Sequence, residues 1–224
     1  MSTVKSKLIE AEGIALLLFK EIEERGLIIP GKSEKQLNTE IFQLANELFG
    51  IEKYWHKRIV RSGANTLSPY NENPPDLIIQ DDDILFFDFG PVIEDWEADL
   101  GRTYVIGDDP VKHKLKNDIE TAWHEAKLWF SRQTRLTGAE FYNYAVELAN
   151  TYGWEYGGEI AGHLIGEFPH EKVEPGNYHL YVHPGNPDDM FMPDKNGNKR
   201  EWILEIHFVD RKKKIGGFFE QLLT

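Results

Sequence analysis

An apolar run that closes on an acid limits what this chain can fold into. Ile84-Leu85-Phe86-Phe87-Asp88-Phe89 passes through a turn-forming stretch to Asp99-Leu100-Gly101-Arg102-Thr103-Tyr104. The pattern reads as two strands flanking a turn, with one aspartate at the end of the first and another at the start of the second. A hairpin folds the second strand back beside the first, so Asp88 and Asp99, eleven residues apart, are expected to face each other across the ladder. Carboxylates on or beside a buried sheet are costly unless a cation answers them, and a metal ion is one such cation. Alone the pair says little, because acidic residues flank turns in many chains.

Composition narrows the choice. A chain of 224 residues, 41% hydrophobic and with six Trp, can bury a substantial core. No linker, repeat or low-complexity tract divides it, so a single domain over 1–224 is expected. A net charge of -13, from 38 acidic against 25 basic residues, argues against nucleic acid or an anionic membrane as partner. Cysteine is absent, which excludes disulfides and thiolate sites and leaves His, Asp and Glu as metal ligands. Met1-Ser2-Thr3-Val4-Lys5 carries no signal-peptide pattern, and no apolar run approaches the roughly 20 residues that span a bilayer. A cytoplasmic location is therefore expected.

Leu8, Ala11, Ala15, Leu18 and Ile22 recur at helical spacing before Gly26, and Leu37, Ile41, Leu44 and Leu48 do so between a Ser33/Gln36 capping pattern and Gly50. Asn65 to Asp76 is rich in turn formers and reads as a long loop able to reach over a site. A third helix starts at Asp109-Pro110 with a stripe of Val111, Leu115, Ile119, Ala122, Ala126 and Trp129. A fourth runs from the capping box Thr137/Glu140 through Phe141, Ala145, Leu148 and Tyr152 to Gly153. Strand-like segments then cover 157–166, 178–183, 202–210 and 216–223, with a turn-rich insert from His183 to Asn198. Two helices followed by strands, twice over, hint at duplicated αββ halves.

Three further stretches could carry chemistry. In Gly162-His163-Leu164-Ile165-Gly166 the flanking glycines allow close backbone approach to His163, and His170 follows seven residues on. In Trp202-Ile203-Leu204-Glu205-Ile206-His207-Phe208 a glutamate sits inside an apolar strand, where Glu is seldom buried unpaired. Alternation sets Ile203, Glu205 and His207 on one face and Leu204, Ile206 and Phe208 on the other. Ile215-Gly216-Gly217-Phe218-Phe219-Glu220 again places one carboxylate in an apolar run, and Arg211 to Lys214 reads as the solvated turn before it. His113 and His124 read as structural. His179 and His183 lie in a segment read as strand, where four residues span about 13 Å, too far to share one ion.

Asp, Asp, His, Glu, Glu in this order, with the words Asp88-Phe-Gly, Asp99-Leu-Gly-Arg-Thr103, Gly162-His163-Leu-Ile-Gly166, His170-Glu171 and Gly217-Phe-Phe-Glu220, resembles the pita-bread metallopeptidases. That family includes methionine aminopeptidases, Xaa-Pro aminopeptidases, prolidases and creatinase. The resemblance runs from about residue 6 to the C-terminus. It implies an α+β fold, a curved antiparallel sheet with helices on its outer face and pseudo-duplicated αββ halves. It also implies two divalent ions (Mn, Fe, Co or Zn), with Asp88 chelating one, His163 and Glu205 serving the other, and Asp99 and Glu220 bridging. His170 would then hold the substrate carbonyl or oxyanion, and Glu205 would shuttle protons.

Some positions depart from the family pattern. A loop histidine expected before Asp88 is replaced in Ser68-Pro69-Tyr70-Asn71, so Tyr70, Asn71 or His56 is expected to stand in for it. A further histidine of the Xaa-Pro branches is Glu159 here, and Gly101 stands where Thr or Ser is usual. Tyr70, Glu159, His170 and His207 are accordingly the candidate substrate residues, His207 through its shared face with Glu205. The resemblance implies a dinuclear exopeptidase, manganese-dependent or otherwise, that removes an N-terminal residue from a small peptide such as Xaa-Pro or Met-Xaa, as monomer or homodimer. The alternatives are hydrolysis of a non-peptide C–N bond, as in the creatinase branch, and a non-catalytic binding module.

Overall fold

Local signals in the sequence start and stop the helices. The computed structural model describes residues 3–170 and 177–223; Met1 and Ser2 of the N-terminal stretch, and Glu171 after His170, lie outside the described residues. In chain order the elements are α1 (Thr3–Glu24), α2 (Glu34–Phe49), β1 (Ile59–Ser62), a 3-10 turn (Gly63–Leu67), β2 (Asp83–Phe89), β3 (Val92–Ile93), β4 (Trp96–Glu97), β5 (Leu100–Ile106), α3 (Pro110–Phe130), α4 (Gly138–Tyr152), β6 (Glu155–Tyr156), β7 (Leu164–Ile165), β8 (Glu201–Asp210) and β9 (Ile215–Leu222). Thr137 and Glu140 form both arms of a capping box at α4, whereas Ser33 caps α2 by accepting from the Gln36 N–H alone. Asp109 caps α3 with Pro110 in its first turn.

The main sheet is antiparallel in the order β1-β2-β5-β9-β8-β6, with β7 added beside β8. That order is symmetric about the β5–β9 junction, so the two helix-helix-strand halves meet as equivalent three-strand sets. The helices pack on one face of it. Leu18, Ile22, Leu37 and Ile41 of α1 and α2 bury Leu85, Phe87, Phe89, Leu100 and Tyr104. Leu115, Ile119 and Trp123 of α3 and Phe141 and Leu148 of α4 bury Leu204, Ile206, Phe208 and Phe219. Strand alternation therefore turns Phe86, Asp88, Gly101, Glu205, His207, Phe218 and Glu220 to the opposite face. The expected split of β8 into an apolar and a polar face is what the fold contains.

Three expectations are corrected. Asp88 pairs with Gly101, not with Asp99. The small β3–β4 hairpin, turning at Glu94 and Asp95 with φ of 48° and 67°, takes up the interval, so Asp99 lies two residues off, on the diagonal of the same face. Residues 178–183 form turns with a single bridge, Tyr181 to His163, because the Asn186 side chain and backbone take the carbonyls of Tyr181 and His183. Segment 157–166 is strand only at Leu164–Ile165; the glycine-rich part before it bends across the site. His179 still has a bland role, paired to Asp188, and His183 stacks on Tyr178 at 3.7 Å between centroids.

Candidate active site

The register sets a row of residues across four strands. Asp88 on β2 lies opposite Gly101 on β5, Gly101 opposite Glu220 on β9, and Glu220 opposite Glu205 on β8. Asp99 enters from the residue before β5. Gly101 contributes no side chain, and the Phe218 ring fills the space its Cβ would need, 2.4 Å away. The row opens into a cavity of about 330 Å³ that is also lined by Trp55, His56, Tyr70, Glu159, His163, His170 and His207. Every candidate site residue named from the sequence borders this one cavity.

His163 reaches it because Gly162, at φ 140°, lies against β8, where a Cβ would meet the Ile203 carbonyl oxygen at 2.1 Å. The Ile203 N–H donates to the His163 carbonyl at 2.8 Å and fixes the approach. Its Nε2 then lies 3.1 Å from Asp99 Oδ2 and 3.7 Å from Glu220 Oε1. His170 is held by Glu97, which is 1% exposed, takes the His170 N–H at 3.2 Å and pairs with Nδ1. Nε2 of His170 is thereby left for the cavity.

Loop 65–76 reaches over the site as expected, with Ser68 to Asn71 on the wall. Tyr70 is half exposed, and its hydroxyl accepts from the Lys57 N–H at 3.3 Å. Glu159 stands exposed at the rim. His207 borders the cavity but spends its ring on the fold, with Nε2 donating to the Thr66 carbonyl at 2.9 Å.

The electrostatics follow from crowding four carboxylates together away from water. Burial pushes Asp88 up to about 7 and Glu205 up to about 8, and holds Glu220 well above the usual carboxylate range. Burial would raise Asp99 too, but the imidazoles of His56 and His163 outweigh it and hold Asp99 below the usual range. The same carboxylates overcome burial at His56 and His163 and lift both to about 9. Glu220 Oε2 is buried with no hydrogen-bond partner among the described residues. Carboxylate oxygens and imidazole nitrogens converging on an orphaned buried oxygen fit divalent transition ions. Two trios of ligand atoms, His56–Asp88–Asp99 and Asp99–His163–Glu220, each lie within 4.8 Å of one another.

Residues 6–195 match the model of metallopeptidase family M24. The chain belongs to that family. The match stops short of β8 and β9, where the strand register sets Glu205 opposite Glu220. The Xaa-Pro dipeptidase of Pyrococcus horikoshii is 26% identical over 192 residues, covering 77% of this chain and 54% of the dipeptidase. Among solved structures, the X-Pro aminopeptidase from Thermotoga maritima superposes with a TM-score of 0.77 at 22% identity, over 100% of this chain and 61% of that one. The prolidase from Pyrococcus horikoshii gives 0.76 at 20% identity, over 99% and 59%. These likenesses show the pita-bread fold. The chain spans little more than half the length of these relatives.

Three neighbours, Trp55, His56 and Glu97, were underrated or missed from the sequence. Trp55 forms a wall that three imidazoles touch edge-on, with centroids 4.4 Å from His56, 5.1 Å from His163 and 5.3 Å from His170, while its Nε1 donates to the Ala98 carbonyl at 3.1 Å. His56 was named only as a stand-in for the loop histidine, yet its Nε2 lies 3.1 Å from Asp99 Oδ1. The signal available was Trp55-His56 side by side, with no periodic element around it to say which way either faces. Glu97 was missed because it resembles any acid in a turn.

Proposed function

We propose that this M24 chain is a two-metal exopeptidase that releases the N-terminal residue of small peptides, with Xaa-Pro dipeptides the leading substrates. One observation carries the reading: Asp88, Asp99, His163, Glu205 and Glu220 converge on one cavity, and nothing in mere binding calls for that set. The names of the similar proteins, Xaa-Pro dipeptidase, X-Pro aminopeptidase and prolidase, support the Xaa-Pro choice.

In this proposal Asp88 would hold one ion and His163 and Glu205 the other, with Asp99 and Glu220 available to both. Manganese, iron, cobalt and zinc all suit such donors. Divalent ions there supply Lewis acidity toward a carbonyl and lower the pKa of water. Glu205, with its charge answered by the ions, would take the proton of the attacking water and return it to the leaving amine. His170, oriented through Nδ1 by the Glu97 carboxylate, would donate an Nε2–H to the carbonyl oxygen as negative charge develops there, carrying hydrogen on both ring nitrogens. Trp55, Phe86 and Phe218 exclude water from one side of the cavity, which strengthens these interactions.

The test is chelator-stripped protein reconstituted with each of the four metals and offered Xaa-Pro, Met-Xaa and other dipeptides beside a creatine-type substrate. Metal-dependent release of the N-terminal residue is expected. Cleavage of the creatine-type substrate alone would move the reading to non-peptide C–N hydrolysis, and no cleavage with any metal overturns the exopeptidase.

A further inference from the structure

His56 and His163 are placed as counterparts about Asp99. Each lies 2.8 Å through Nδ1 from the carbonyl of the residue that follows it, Lys57 for the one and Leu164 for the other. A carbonyl only accepts, so each Nδ1 carries its hydrogen and a neutral ring keeps the lone pair on Nε2. Each Nε2 then meets a different oxygen of Asp99 at 3.1 Å, His56 at Oδ1 and His163 at Oδ2. This is the tautomer and backing that orient imidazole toward a metal.

The placement of His56 is built into the fold. Its side chain is 8% exposed, and Nε2 also lies 3.5 Å from Asp88 Oδ1. Gly90 makes room for the ring, since a Cβ there would stand 2.2 Å from His56 Cδ2. Trp55 and Tyr70 meet the ring edge-on, at 4.4 and 5.8 Å between centroids. His56, Asp88 and Asp99 form the first of the two ligand trios, which share Asp99. In the second trio Glu220 Oε2, without a hydrogen-bond partner among the described residues, points to a cation that those residues do not supply.

We infer that His56 Nε2 is a sixth protein ligand, bound to the ion that Asp88 holds, so that each ion has one imidazole. The inference rests on the two-metal reading above. Its ligand class is a divalent transition ion with affinity for nitrogen, and it makes the Asp88 position less purely oxygen-lined than the four acids and one imidazole of the sequence motif would make it.

Cobalt reports this directly, because an imidazole bound through Nε2 to Co²⁺ carries its Nδ1–H into a strongly shifted, solvent-exchangeable proton resonance. Chain with ¹⁵N-labelled histidine and loaded with cobalt should show two such resonances, one lost in His56→Gln and the other in His163→Gln. In calorimetric titration of stripped His56→Gln with Co²⁺, one of the two ions should bind more weakly by more than the roughly 10–100-fold that loss of an outer-shell partner costs. Circular dichroism in chelator confirms that the variant is folded, and the wild-type resonances need no variant at all. A single shifted resonance in wild-type protein holding two cobalt ions overturns the inference. So does a folded His56→Gln that keeps both ions at wild-type affinity. Wild-type protein that binds fewer than two ions overturns it together with the two-metal reading. Peptide cleavage enters neither readout, so the exopeptidase stands or falls separately.

Discussion

Glu220 concentrates the conflict between stability and function in one side chain. It is 2% exposed, one of its oxygens has no hydrogen-bond partner among the described residues, and its neighbours across the sheet and along the diagonal are acids. Replacing a carboxyl that the metal-free fold must either protonate or bury charged relieves the fold even as it removes a proposed ligand. Glu220→Gln is therefore expected to raise the melting temperature in chelator by a few degrees, read by calorimetry, while metal binding and hydrolysis are lost. Asp99→Ala is expected to abolish metal uptake and hydrolysis together, checked by elemental analysis and peptide assay; retained hydrolysis would sink the two-metal mechanism. Gly162→Ala meets the Ile203 carbonyl and a backbone that L-residues rarely adopt, so it should lose His163's position and with it most metal affinity, read by the same titration.

At the scale of elements, two side chains tie the site wall to the sheet. Glu34, in the first turn of α2, takes the Ser62 N–H at 2.6 Å, the Asn65 amide at 2.9 Å and the Ser62 hydroxyl at 3.1 Å. Asn65 in turn donates to the Pro75 carbonyl at 2.7 Å and closes the base of loop 65–76. Glu34→Ala should cost about 2–3 kcal/mol by urea unfolding, because it leaves buried donors unmet, and should raise KM through the loosened loop. His207 joins β8 to the 3-10 turn through Thr66, and burial holds it down at about 4. An unfolded chain takes that proton near 6.5, whereas the folded one refuses it until about 4. The contribution is therefore whole above pH 6.5 and is lost as pH falls from 6.5 to 4, by at most about 3 kcal/mol. Melts of His207→Gln, which retains an N–H donor, should show a shallower acid decline than wild type.

For the whole molecule, the row of proposed ligands crosses β2, β5, β9 and β8, so ions bound there would join both pseudo-equivalent halves. Saturating metal at 100 times its Kd should stabilise the fold by about 2.7 kcal/mol per ion, seen as a higher melting temperature that chelator reverses. Its affinity should climb with pH. Asp88 and Glu205, raised to about 7 and 8, and His56 and His163, raised to about 9, hold protons below those values that an incoming ion must displace. Titrations between pH 6 and 9, in buffers of different ionisation enthalpy, should show tightening together with proton release.

Helices and strands were legible wherever the signal is local. Capping boxes, apolar stripes and single acids in apolar strands depend on residues a few positions apart, and Asp88, Asp99, His163, Glu205 and Glu220 could be named from them and from the motif words. Legibility stopped at pairing. The eleven-residue interval between Asp88 and Asp99 does not disclose the small hairpin inside it, so the expected partner was wrong by two residues. Residues 178–183 look strand-like only until Asn186 takes their carbonyls. The amino-acid sequence by itself determined which residues could bind metal, because donor chemistry belongs to the side chain. The tertiary structure decided that His56, Trp55 and Glu97 surround the same site, because residues 43 and 107 positions apart, Asp99 to His56 and His163 to His56, meet only when register and close backbone packing bring them to one face.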